Sequence, residues 1–265
     1  MDIFKRSLAP ISEEAWEQIE DEAKSGLKSL LSARKLIDVE GPKGWDFAGI
    51  PTGRMELVEV PKNKGLSYGV RKVLPVVEPR VSFSLSIWEL DNANRGAEDI
   101  ELDNLVNAVE KIASFEENAI YNGLPNTGIS GILKAAEETI SLPKEPGKWL
   151  AAITEGVLKM KDSAIDGPYS LVLPPTVWKT VKYFAECYPL VPQLKEVLQG
   201  DIILSNFIST GLLVSTRGGD FRLLLGNDFS IGYEHHDHKD VTLFLTESFT
   251  FQILEPKAAM KIQTK

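Results

Sequence analysis

Two extended runs that precede the string WELDN constrain this chain more than any other stretch, because nothing adjacent in sequence can cover them. Met55-Glu56-Leu57-Val58-Glu59-Val60 leads into Pro61-Lys62-Asn63-Lys64-Gly65, where proline presets φ and glycine permits the turn. The chain returns through Leu66-Ser67-Tyr68-Gly69-Val70-Arg71-Lys72-Val73. The pattern predicts a β-hairpin. Its strands carry too many charges to be buried on both faces, and a lone two-stranded ribbon is marginal in water. Such a ribbon needs a surface from elsewhere, which is how an arm reaching onto another subunit behaves.

Around the arm the periodicities are clear. Ser12 followed by Glu13 and Glu14 predicts a helix start, and Trp16, Ile19, Ala23, Leu27, Leu30 and Leu31 form an apolar stripe that Gly26 weakens. A second helix is predicted from Asp103 to Asn122, with Leu105, Val109, Ile112 and Ala119 on one side and Gly123 as the stop. Shorter helices are expected near 148–162, 175–186 and 193–198. Strands are expected at 169–173, 202–204, 211–215, 221–225 and 231–234. From Val241 to Leu254, strand-favouring residues run on with one interruption, Glu247. Fully extended, that run covers about 46 Å at ~3.3 Å per residue, so it should cross more than one subdomain. Val81, Phe83, Leu85 and Ile87 alternate with serines in the same way and form a plausible sheet partner. Repeats and low-complexity linkers are absent.

Length and charge exclude several classes. A chain of 265 residues, 43% hydrophobic and 25% charged, can bury a substantial core and is not disordered by composition. A net charge of −9 argues against a general grip on nucleic acid, which needs clustered Lys and Arg. Cys187 is the single cysteine, so no intrachain disulfide and no cysteine-based zinc site can form. The start lacks the apolar stretch of a signal peptide, and no run approaches a membrane span, so a cytoplasmic location is expected.

The string RKVLPVVEPRVSFSLSIWELDN, residues 71–92, resembles the corresponding segment of the encapsulins, the shell proteins of prokaryotic nanocompartments. FKRSLAPISEEAW (4–16), RKLIDVEGPKGWDFAGIPTG (34–53), DGPYSLVL (166–173), CYPL (187–190), RGGDFRLLLGNDFSIGYE (217–234) and FLTESFTFQILEP (244–256) follow in the same order. The resemblance covers nearly the whole chain. It implies an α+β chain with the tailed-phage major capsid protein fold (Hong Kong 97-like), in one intertwined domain spanning 1–265. Within it, an N-terminal helix segment takes 1–40 and the extended arm 51–73. A peripheral subdomain would combine 74–132 with 230–265, and an axial subdomain would take 133–229. The implied partners are further copies in an icosahedral shell and a cargo protein with a C-terminal targeting tail. That cargo would be a ferritin-like iron-storage protein or a dye-decolourising peroxidase. A phage head protein packing DNA and a histidine-based metallohydrolase are the competing readings.

Candidate sites follow from this resemblance. The cargo tail would dock against Leu30, Leu31, Arg34, Ile37 and Asp38 at the end of the first helix, with Phe229 and Ile231. Apolar anchors would seat the tail, and Arg34 and Asp38, four apart on one helical face, would fix its direction. The alternative is that these leucines and Ile231 close the protein's own core. Glu186, Cys187, Tyr188 and Pro189 would surround a fivefold opening, where a ring of Glu186 carboxylates concentrates cations, or they form an exposed loop without such a role. Some encapsulins carry a flavin (FMN) at the tryptophan matching Trp88. Arg80 would then meet its phosphate, whereas the bland alternative is a structural tryptophan at a strand end. No cofactor is required by the shell reading. His235, His236 and His238 gather beside Glu234 and Asp237 as metal-type ligands, but the polarity of 237–240 is that of a hairpin tip. No GxSxG elbow or phosphate-binding loop occurs, and catalysis is not expected.

Overall fold

The computed structural model describes residues 3–59, 66–184 and 189–264. Val60 and the expected hairpin tip, Pro61 to Gly65, lie outside these residues, as do Glu186, Cys187 and Tyr188. In chain order come helix α1 (Glu13–Leu30), strands β1 (Asp38–Glu40), β2 (Gly49–Glu59), β3 (Ser67–Pro75) and β4 (Arg80–Ser86), then helices α2 (Ile87–Asn94), α3 (Asp103–Asn122) and α4 (Ile132–Ala135). Next are β5 (Thr139–Leu142), α5 (Trp149–Asp162), β6 (Tyr169–Leu173), α6 (Pro175–Tyr183), α7 (Leu190–Leu198), β7 (Ile202–Leu204) and β8 (Gly211–Ser215). The long strands β9 (Phe221–His236) and β10 (Asp240–Ile253) and the last strand, β11 (Ala259–Thr264), complete the series.

Three sheets result. β10 runs antiparallel between β9 and β4, with β1 parallel on the far side of β9. A five-stranded sheet has the order β5-β11-β8-β6-β7. Among the described residues β2 and β3 pair only with each other, and they leave Met55, Leu57, Tyr68, Val70 and Val73 exposed.

The sheets define two cores. α1 and α3 lie on the upper four-stranded sheet, burying Ile19, Leu27, Leu105 and Ile112 against Phe83, Leu85, Val241 and Leu243. The second core gathers α5, α7 and the five-stranded sheet around Leu171, Leu213 and Ile153, and takes in Phe249 and Phe251. β10 therefore crosses from one core to the other, as its length suggested. The start of α1 and the stop of α3 follow elementary capping. The Ser12 hydroxyl accepts the Ala15 N–H at 3.2 Å, and Gly123 ends α3 at φ 84°. Gly26, a weak point by propensity, has a packing role: a Cβ there would stand 3.0 Å from Val109 Cγ1 of α3.

Several expectations need correction. α1 ends at Leu30, and Arg34 sits in a short 3₁₀ turn (Ala33–Lys35) while Asp38 opens β1, so these two charges do not share a helical face. The physical reason is a contact from α3: the Ala33 N–H is taken by a buried carboxylate, Glu117 Oε1, at 2.8 Å, instead of continuing the helical ladder. The runs 221–225 and 231–234 are one strand, β9, because the intervening residues stay paired to β10 across a bulge. Helix α6 stops at Tyr183, where Phe184 turns extended, short of the expected 186. Trp88 belongs to the first turn of α2, not to a strand end. Strand β11, expected with the peripheral segment 230–265, pairs with β5 and β8 in the five-stranded sheet.

Candidate functional site

A groove of about 470 Å³ runs between α1 and β9. One wall is the helical stripe of Glu20, Ala23, Lys24 and Leu27, continued by Leu31; the other is Asp228, Phe229, Ser230 and Ile231. Leu245 of β10 lies beneath, and Phe4 and Arg6 line it from the N-terminal segment. The bulge explains why β9 contributes so much. Thr246 pairs with Ser230 but Ser248 pairs with Asn227, so Asp228 and Phe229 stand together opposite the single residue Glu247. The extra residue turns both side chains to the groove.

Of the expected docking residues, Leu31, Arg34, Phe229 and Ile231 converge here. Leu30, Ile37 and Asp38 do not. Leu30 faces a separate depression beside Trp178 and Ile203, and Ile37 is buried in the second core. The Asp38 carboxylate accepts the Gly219 N–H at 2.6 Å, tying β1 to the turn before β9.

The charges at the groove are largely committed within the chain. Arg34 Nε donates to Glu116 at 2.9 and 3.0 Å, Nη2 to the same carboxylate at 2.6 Å, and Nη1 to Asp228 at 3.0 Å. Its guanidinium also stands 4.7 Å from the Phe229 ring centre and 3.5 Å from Glu247 Oε2. Glu116 and Glu247 are both 0% exposed, and neither Glu247 oxygen finds a hydrogen-bond donor among the described residues. Burial, then the neighbouring Glu116, pushes the Glu247 carboxyl well above the usual carboxylate range. Burial works against the Arg34 charge, but its hydrogen bond to Glu116 and the charges of Glu116, Asp228 and Glu247 more than offset that and raise its pKa. At the mouth, Arg6 pairs with Glu20 and stacks 4.2 Å over Trp16.

A second buried carboxyl holds the turn that delivers Arg34. Glu117 accepts from the Ala33 N–H and the Ser32 hydroxyl, whose oxygen lies 2.9 Å from Tyr121 Oη. Burial lifts the Glu117 pKa to about 7 against these two hydrogen bonds. Burial also raises the Tyr121 phenol, with the Glu117 charge adding to it. The sequence reading missed these acids. The signal was present, since Glu116 follows Ile112 by four residues on the apolar side of α3, and Glu247 interrupts the apolar parity of β10.

The other candidates lie elsewhere. Arg80, at the start of β4, stands 4.1 Å over Phe244 and 3.4 Å from Glu78. Trp88, past the other end of that strand, is 71% exposed with Arg95 5.9 Å from its ring. The two thus stand at opposite ends of β4. Pro189 is exposed just before α7. His235 and His236 end β9, and Asp237 Oδ1 accepts the N–H groups of Lys239 and Asp240 at 2.7 and 2.9 Å, closing a hairpin turn. Those backbone bonds, that of Asp240 first, hold the Asp237 carboxyl below its usual range. Among the described residues, no group of three His, Cys, Asp or Glu side chains is placed to hold a metal ion, and no helix is long and apolar enough to cross a membrane.

Comparison with known proteins gives this geometry a family. Residues 1–250 match the family described as "Encapsulating protein for peroxidase". The chain is 39% identical to the type 1 encapsulin shell protein of Rhodospirillum rubrum, over 99% of this chain and 97% of that one. It is 38% identical to the shell protein of Mycolicibacterium paratuberculosis, over 99% of both. Among solved structures, the virus-like particle from Pyrococcus furiosus superposes with a TM-score of 0.67 at 19% identity, covering 94% of this chain and 99% of that one. Mycobacterium phage Bobi gives a TM-score of 0.59 at 12% identity, covering 89% and 91%. These likenesses establish the tailed-phage capsid fold, and the sequence matches establish more: the chain belongs to the type 1 encapsulin shell proteins.

Proposed function

We propose that copies of this chain close into an icosahedral shell around a cargo enzyme and hold that enzyme by a short tail seated in the α1–β9 groove. The observation that carries the reading is the groove itself. Leu27, Leu31, Ile231 and Leu245 give it an apolar lining, and charges that are mostly paired within the chain rim it. A tail with apolar anchors fits such a site, and the family's description names an encapsulated peroxidase. The peroxidase class is accordingly the favoured cargo. The arm of β2 and β3 supports the assembly half of the reading, because its exposed Met55, Leu57, Tyr68 and Val70 offer a neighbour apolar surface.

The test is Ile231→Asp in cells that also make a tailed peroxidase. Particles of unchanged sedimentation that have lost their cargo are expected. Full cargo retention, or failure of any particle to form, assigns Ile231 to the protein's own core and overturns the groove reading.

A further inference from the structure

We infer that the groove takes its occupant as an added β-strand, along the free edge of β9, with a carboxylate of the occupant opposite Lys24; this rests on the groove reading above. β1 pairs with β9 only through Arg222, Leu223 and Leu224, so beyond them that edge carries no strand among the described residues. The Tyr233 N–H points to this edge, where it donates to the Phe4 carbonyl at 2.7 Å. Successive strand residues turn their backbone groups to opposite sides, and Ile231 stands two before Tyr233. Its N–H and C=O therefore face the same edge, beside the position that Phe4 already occupies.

The groove's walls say the same. Consecutive residues of β9, Ser230 and Ile231, both line it, as happens where a strand presents its edge and not one face. Facing that edge is a single stripe of helix α1. A strand edge opposite a helical stripe with apolar positions at Ala23, Leu27 and Leu31 is an arrangement that can bind extended peptides by backbone pairing, with alternate side chains entering the pocket. The dimensions agree. From Glu20 to Leu31 the helical wall measures about 16 Å at ~1.5 Å per residue, the span of roughly five extended residues at ~3.3 Å each.

Charge supplies direction. Arg34 is occupied by Glu116 and Asp228, and Arg6 by Glu20. Lys24 also lines the groove and has no ion-pair partner among the described residues. It is the cation left to meet an acidic group.

The probe is a fluorescent protein ending in a tail of alternating leucine and serine with one aspartate, produced together with the full chain. A control tail of the same composition carries its leucines at helical spacing. The alternating tail should be retained in purified shells about tenfold more than the control. Synthetic peptides of the alternating tail, N-methylated at every second amide and present during shell assembly, test the backbone directly. Methylation at one parity should weaken retention about tenfold and at the other leave it unchanged. Lys24→Glu should lower retention of the aspartate tail, and a lysine in place of that aspartate should restore it. Equal retention of both leucine spacings, or of both methylation parities, overturns the strand-edge mode while leaving the groove in place. Absence of rescue overturns the Lys24 contact. Retention of no tail at all removes the groove reading itself, and this inference with it.

Discussion

Replacing Glu117 by Gln should flatten the pH dependence of this protein's stability. The folded carboxyl has its pKa raised from 4.5 to about 7, chiefly by burial. A raised carboxyl binds its proton more tightly in the folded state, so its contribution is fully present below pH 4.5 and is lost as pH rises through 7. At ~1.36 kcal/mol per unit, the loss amounts to about 3 kcal/mol by pH 8 to 9. Gln preserves the geometry, since its oxygen can accept the Ala33 N–H and its amide can donate to the Ser32 hydroxyl in place of the present arrangement. The variant should therefore match the wild type near pH 4.5 and exceed it by about 3 kcal/mol at pH 9. For a chain of this size that is roughly 6–12 °C in the midpoint of thermal unfolding. The assay is a series of calorimetric scans of both proteins between pH 4.5 and 9. Parallel pH profiles would refute the reasoning, as would a variant less stable by the same amount at every pH. Either result would mean that Glu117 is held ionised by its two donors.

Arg34→Ala should destabilise the fold by about 3 kcal/mol at neutral pH, because it leaves buried Glu116 without its partner; adding Glu116→Gln should restore part of the loss in denaturant unfolding. Leu57→Asp on the arm, a position 76% exposed, should change subunit stability by less than about 0.5 kcal/mol. It should nevertheless impair shell closure, read as loss of the large sedimenting particle. Glu186→Lys, in the segment expected at the fivefold opening, should slow ferrous iron uptake into shells loaded with a ferritin-like test cargo at low ionic strength, with the difference fading as salt rises. An unchanged rate at low salt would remove electrostatic gating from this position.

What could be read from the chain alone depended on whether the deciding contacts were local. α3 and β10 were legible because Gly123, the 3.6-residue spacing of Leu105, Val109 and Ile112, and the alternation from Val241 onward are all local signals. The arm was legible for the opposite reason, since its residues lacked any local partner. The end of α1 was not, because Leu31 and Arg34 continue a helical pattern that is broken only by Glu117, a residue more than 80 positions away. The same holds for the site. Leu31, Arg34, Phe229 and Ile231 could be named from the resemblance, but the separation of Asp38 from them follows from the parallel pairing of β1 with β9. Nothing in the sequence sets Lys24 apart from the other charges of α1, and only the approach of β9 makes it part of a groove wall.

The buried acids gain a physical logic from where the two cores meet. Along α3, residues up to Ala113 belong to the core under α1, and residues from Ala119 belong to the core of the five-stranded sheet. Along β10, Leu245 belongs to the first core and Phe249 to the second. Glu116, Glu117 and Glu247 occupy the intervals in both elements, so the seam between two apolar cores is lined with carboxyls. One guanidinium, Arg34, reaches into that seam from the turn after α1 and bonds to Glu116 of α3 and Asp228 of β9 at once. Replacing such a cluster by apolar residues would often be neutral or stabilising, so stability alone does not account for it. Position does. The cluster fixes Arg34, Arg34 stacks under Phe229, and the bulge that carries Phe229 shapes the wall of the groove. Arg34 is therefore better understood as the residue that holds the groove's shape than as a charge offered to its occupant, whose own carboxylate is left to find Lys24.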